Sequence, residues 1–219
     1  MKKSLLAAAA LLATVAVTET KAQGVRLGLK GGANLSNLSG DLVNKDGYDY
    51  KVGFHGGLML NVGLIDDGFL SLQPEVLFSQ KGYEYDSNQA FGTFRREGDV
   101  TYNYIDVPVL LKVKAGNLFF EAGPQYSYLL KVKDESTRSL GGTLIARTEA
   151  ERDLKNVNRN EFGYVAGLGF QSDSGIMLGV RYNGALTDFA KNETYNNGEL
   201  TNARNQVFQV SLGYLLPGR

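Results

Sequence analysis

The sequence predicts an all-β chain folded as an eight-stranded antiparallel up-and-down barrel, on three observations. Eight segments alternate between an apolar and a polar or glycine face, the period-2 signature of strands bathed by different media on their two sides. The connections between them alternate short and long. Outside the first residues there is no apolar run long enough for a membrane-spanning helix.

The first 22 residues, MKKSLLAAAALLATVAVTETKA, have the three parts of a secretory signal peptide. Lys2 and Lys3 form the charged start, Leu5 to Val17 the apolar run, and Thr20-Lys21-Ala22 the small-residue cleavage site. That apolar run is too short to cross a bilayer as a helix. Cleavage after Ala22 is expected, leaving residues 23–219 as one barrel domain. Removing Lys2, Lys3, Lys21 and Glu19 takes 23 basic and 23 acidic residues to 20 and 22. A net charge of −2 gives no reason to expect a nucleic-acid partner. The chain has no cysteine, which excludes disulfides, thiol catalysis and cysteine metal sites.

The first strand is expected at Val25 to Ser36, with Val25, Leu27, Leu29, Ala33 and Leu35 opposed to Arg26, Lys30 and Asn34. Lys51 to Leu64 follows; Phe54, Leu58, Leu60 and Val62 lie on one face, Lys51, His55, Met59, Asn61 and three glycines on the other. Phe69 to Tyr83 opposes Leu70, Leu72, Val76 and Phe78 to Gln73, Glu75, Ser79 and Lys81. Tyr102 to Lys114 opposes Ile105, Val107, Val109 and Leu111 to Tyr104, Asp106 and Lys112. Leu118 to Lys131 sets Phe120, Ala122, Tyr126 and Tyr128 against Glu121, Gly123, Gln125 and Ser127. Glu161 to Gln171, Ile176 to Thr187 and Gln206 to Leu216 complete the set in the same manner, with Arg181 on a polar face.

Residues 65–68, 115–117 and 172–175 are tight, whereas 37–50, 84–101, 132–160 and 188–205 are long and polar. Glycine ends two three-residue loops, Asp66-Asp67-Gly68 and Asp173-Ser174-Gly175, and opens the two-residue turn Gly116-Asn117. Pairing outward from these turns sets His55 opposite Ser79, Lys112 opposite Glu121 and Arg181 opposite Gly167. Each hairpin then keeps apolar with apolar. In the longest connection, Thr143 to Thr148 is expected to extend a hairpin and Glu149 to Lys155 to form a helical turn.

A soluble barrel would turn the same apolar face inward. Two features favour lipid outside. Apolar-face aromatics fall in two bands, with Phe54, Phe78, Tyr126, Tyr128, Phe162, Tyr164 and Phe208 toward the long loops and Phe120, Phe170 and Tyr214 toward the turns. Glycines crowd the polar face beside long charged chains, as a narrow interior filled by side chains requires. The expectation is a transmembrane barrel in the cell outer membrane, with short periplasmic turns and long extracellular loops. Its polar face becomes a packed polar interior network with a structural role: Arg26, Lys30, His55, Glu75, Lys81, Asp106, Lys112, Glu121 and Arg181. Lys112 with Glu121 is the first ion pair expected there. Pro74, Pro108 and Pro124 fall inside strands, where each removes a ladder donor, so local bulges or breaks in pairing are expected.

LQPEVLFSQKGY at 72–83, YIDVPVLLK at 104–112, EAGPQYSYLL at 121–130 and EFGYVAGLGF at 161–170 resemble the PorT-like outer-membrane barrels of Bacteroidetes. The likeness runs in order over the mature chain, except in the long loops. It implies an eight-stranded outer-membrane barrel of the porin family, some of whose relatives assist the type IX secretion system. The ending YLLPGR departs from a final aromatic residue.

No motif for catalysis, cofactor or metal binding is present. His55 is the only histidine, without a nucleophile motif and without a second metal ligand type beside it. The expected function is therefore non-enzymatic: a structural, surface-binding or accessory component of a secretion or uptake machine, partnered by the lipid bilayer and by other proteins. The alternatives are small-solute diffusion through the lumen and, last, an outer-membrane lipid-modifying enzyme using His55 and Ser79.

Overall fold

The computed structural model describes residues 24–40, 48–65, 68–88, 94–140, 143–154, 157–190 and 202–217. The expected signal peptide lies outside them. The strands are β1 (Val25–Ser39), β2 (Tyr48–Gly63), β3 (Leu70–Asn88), β4 (Phe94–Ala115), β5 (Leu118–Leu140), β6 (Thr143–Glu151), β7 (Asn160–Gln171), β8 (Ile176–Ala185) and β9 (Arg204–Leu215). Each barrel strand pairs antiparallel with its neighbours, and β4 also pairs with β5 while β1 pairs with β9. Eight strands thus close a ring, β1-β2-β3-β4-β5-β7-β8-β9. The ninth, β6, pairs with the far half of β5 outside that ring.

The turns hold the expected registers. His55 lies opposite Ser79, Lys112 opposite Glu121, and Arg181 opposite Gly167. Gly68, Gly116 and Gly175 take φ of 69°, 61° and 92°, the left-handed region that these tight turns demand and glycine tolerates. The outward face is the apolar one: Val210 and Leu212 are 54% and 61% exposed, and Leu29, Leu58, Leu111, Leu168 and Leu178 share that face. Aromatic rings pair along it near the long-loop end, Phe54 with Phe78, Tyr126 with Phe162, and Tyr182 with both Tyr164 and Phe208. Such a belt suits the boundary between hydrocarbon and water.

Two expectations about the loops are corrected. Most of 84–101 and of 132–151 is strand, because β3, β4 and β5 continue for 19, 22 and 23 residues. A bilayer needs only about ten residues of tilted strand, so roughly half of β4 and β5 stands outside it. There the apolar alternation fades: Val100, Tyr102 and Val132 are buried inward, β6 is exposed throughout, and ladder bonds with cross-strand ion pairs such as Lys131–Glu151 (2.6 Å) and Arg147–Glu135 (3.2 Å) remain. Glu149–Glu151 belongs to β6 and not to a helical turn, and no α-helix occurs among the described residues.

The prolines break pairing without shifting register. Ladder pairs lapse between Pro74–Val109 and Leu77–Asp106, and between Pro108–Gln125 and Leu111–Ala122, with the same register on both sides. The register shifts lie elsewhere, between Tyr50 and His55 in β2, at Asn103/Tyr104 in β4 and at Arg138/Ser139 where β5 meets β6.

A charge on the outward face tests its solvent. Val210→Arg is expected to cost about 2–4 kcal/mol when the protein folds into bilayers, read by denaturant titration into vesicles. A neutral result would put that face against water.

Candidate functional site

The interior is layered along the barrel axis. Nearest the tight turns, Met59, Phe119, Met177 and Leu215 form a buried apolar floor. Sequence alternation places Met59 inward, but Phe119 and Leu215 are apolar residues on a polar face. Gly169 makes room for the Phe119 ring, since a Cβ there would meet its Cζ at 2.4 Å.

Above the floor sits an ion cluster. Arg181 (4% exposed) directs both terminal nitrogens at Glu75 (1% exposed), each bond 2.7 Å, and its Nε donates to Glu121 Oε1. Lys30 Nζ donates to Glu75 Oε1 at 2.8 Å, and Gln73 Nε2 to the same oxygen at 2.7 Å. Gly167, opposite Arg181, carries no side chain where a Cβ would lie 2.7 Å from Arg181 Cγ.

The expected Lys112–Glu121 pair does not form, although the two residues are register partners. The forked guanidinium of Arg181 bridges both carboxylates, leaving Lys112 to neutral acceptors. Lys112 Nζ donates to Gln171 Oε1 at 2.7 Å and Gln73 Oε1 at 3.3 Å, and lies 4.1 Å from the Phe119 ring centroid. Arg26 also stands apart from the interior ions. It donates to the carbonyls of Leu215 and Leu216 at the turn end, clipping β1 to the end of β9.

The next layer holds His55. Its Nδ1 lies 2.7 Å from Asn34 Oδ1, which also accepts from Gln209 Nε2 at 2.9 Å. Asn34 Nδ2 donates to Ser79 Oγ at 3.1 Å. Asn34 therefore stands between the histidine and the serine, and Ser79 faces no general base. His55 Nε2 is buried with no hydrogen-bond partner among the described residues. Higher still, Lys81 Nζ lies 3.0 Å from both Asp106 and Glu161 and 4.4 Å from the Tyr104 ring centroid. Asn205 donates to Glu161 and Tyr104.

The loop end is closed by a second apolar cluster that includes Leu38, Tyr83, Tyr102, Leu129, Val157 and Phe189. A bridge between Val157 and Ala190 ties the β6–β7 and β8–β9 connections across it. Outside, β2 to β6 carry an acidic cleft of about 500 Å³, lined by Asp49, Glu84, Glu97, Asp99 and Glu135 with Arg147. No group of metal-ligating side chains occurs among the described residues. Neither apolar cluster was visible as a unit in the sequence. Each joins residues from non-adjacent strands, and the only signal was the apolar residue breaking a polar face.

Removing Arg181 leaves two buried carboxylates short of a partner. Arg181→Met is expected to cost about 3–5 kcal/mol of stability in urea unfolding. In double-mutant cycles, Arg181 with Glu121 should show larger coupling than Lys112 with Glu121; the reverse order would contradict the observed pairing.

The model of the outer membrane protein beta-barrel domain matches residues 19–191. Among solved structures, the chain is similar to Ail, the attachment invasion locus protein of Yersinia pestis. Identity is 13%, the match covers 88% of this chain and 99% of that one, and the TM-score is 0.45. It is similar to Neisserial surface protein A at 12% identity, with the same coverage and TM-score. The outer membrane protein OprG from Pseudomonas aeruginosa matches at 9% identity over 88% of this chain and 96% of that one, with a TM-score of 0.42. No curated protein matches. With the family match covering well over half of its length, the chain belongs to the outer membrane protein beta-barrel domain family.

Proposed function

We propose that this outer-membrane barrel is non-enzymatic and non-conducting. It works through its projecting strands and through protein partners, as a surface-binding or accessory component of an envelope machine. One observation carries the reading: side chains fill the lumen from the apolar floor to the closed loop end, while β3 to β6 continue far beyond the bilayer. A rigid barrel holding an extended hairpin is a common way to present a binding surface. The PorT-like motifs support placing the chain nearest that group. The leader at residues 1–22 supports export with cleavage after Ala22. The interior ions Lys30, Glu75, Lys81, Asp106, Glu121 and Arg181, with Lys112 and His55 held by neutral side chains between them, serve as a structural plug in this reading. The mutual pairing of those six ions argues against a permeation path.

In planar bilayers the purified mature protein is expected to give no stable conductance steps; reproducible channels would return the chain to the diffusion-porin alternative. Deleting residues 134–150, which removes β6 and its partner segment of β5 except for the Lys133–Glu151 pair, should leave a heat-modifiable folded barrel. It should also abolish co-purification of any stoichiometric partner from native membranes. Undiminished partner recovery after that deletion would move the binding surface off this hairpin.

A further inference from the structure

We infer that the periplasmic mouth of the barrel is an anion site, seating a compact oxyanion (a carboxylate or phosphate group) on Arg26, Lys112 and Lys114. A cavity of about 250 Å³ opens there, and among the described residues these three cations are its charged lining; Asn61, Ser71 and Gln171 supply polar groups beside them. Three lining glycines, Gly24, Gly63 and Gly68, add no side chains to fill it.

Charge accounting points the same way. The ion cluster above the floor carries Lys30, Arg181 and Lys112 against Glu75 and Glu121, three positive charges to two negative. Both carboxylates are engaged by Arg181, and Glu75 by Lys30 as well. Lys112 is the cation left without a carboxylate, and it is 2% exposed. Amide oxygens and an aromatic face satisfy its hydrogen bonds but not its charge, and burying an uncompensated charge is costly. Arg26 likewise has carbonyl oxygens as its partners. Among the described residues Lys114 has Asp173 within reach, at 4.0 Å; that side chain is 95% exposed on the rim, where such a contact is worth little. Asp66 and Asp67 of the adjoining turn lie outside the described residues.

A planar guanidinium beside two ammonium groups suits a multidentate oxyanion better than a single halide. At about 30 Å³ per water the cavity has room for about eight water molecules, enough for a small oxyanion with part of its hydration and too little for a folded segment. With the lumen above it filled, the ligand enters from the periplasm. It comes either free or as the charged end of a periplasmic chain.

Titration calorimetry on the folded mature barrel in detergent, at about 150 mM salt to screen exposed charges, tests this with two probes. Inorganic phosphate stands for a free anion. Acetyl-dialanine, compared with its amide, stands for a chain end. Saturable binding of phosphate, or of the peptide acid but not its amide, is expected and identifies the source. Lys112→Met should weaken it about tenfold or more, whereas Lys131→Gln with Lys133→Gln on the extracellular hairpin should leave it unchanged. Should the methionine variant fail to fold, Gln171→Glu supplies the missing carboxylate against Lys112 and should abolish binding in a stable barrel. No binding of either probe, or binding indifferent to both Lys112→Met and Gln171→Glu, overturns the site.

Discussion

Hydrocarbon offers a backbone amide no partner, and the rest of this structure follows from that constraint. Every ladder must close on itself, so β1 has to meet β9, and their pairing runs from Gly28–Leu215 to Ser39–Arg204. Closure fixes an inside and an outside. One side of every strand must then satisfy lipid, the other a space only as wide as its own side chains. Gly167 beneath Arg181 and Gly169 beneath Phe119 show that width being shared out atom by atom.

The same constraint explains why so much was legible in the sequence. Leu29, Leu58, Leu111 and Val210 mark one apolar face by recurring at every second position, and the aromatic bands at its ends with the glycines on the opposite face assign it to lipid. Registers were legible because three glycine-bearing turns set the count for three hairpins, and a slip of one residue would invert every face. The legible part ends at the membrane boundary. In β6 every residue is exposed, and the apolar alternation that marks a strand is absent there although the ladder continues.

Side-chain partnership was legible only between neighbours. Lys112 and Glu121 face each other across one ladder, which sequence can establish. Whether they bond depends on Arg181, which approaches from β8, and its other carboxylate, Glu75, lies 106 residues away on β3. Pairing across a lumen joins strands that share no turn, so no local spacing encodes it. The floor and the loop-end cluster share that property. Phe119 and Leu215 read as irregularities until the ring brings them beside Met59 and Met177.

The clip that Arg26 makes onto Leu215 and Leu216 joins positions 189 and 190 residues apart. Contacts of such separation cannot form until nearly all of the chain has been delivered, and loop closure on that scale makes folding slow. Until then β1 and β9 are open edges, a form that hydrocarbon does not tolerate and that invites pairing with other chains. Arg181, on β8, reaches its carboxylates only as the last strands arrive, so the interior cannot mature ahead of the wall. Assembly of this barrel is thus a race between delivering its final strand and losing the unclosed sheet to aggregation, and the arginine at the start of the first strand acts as a fastener at the finish.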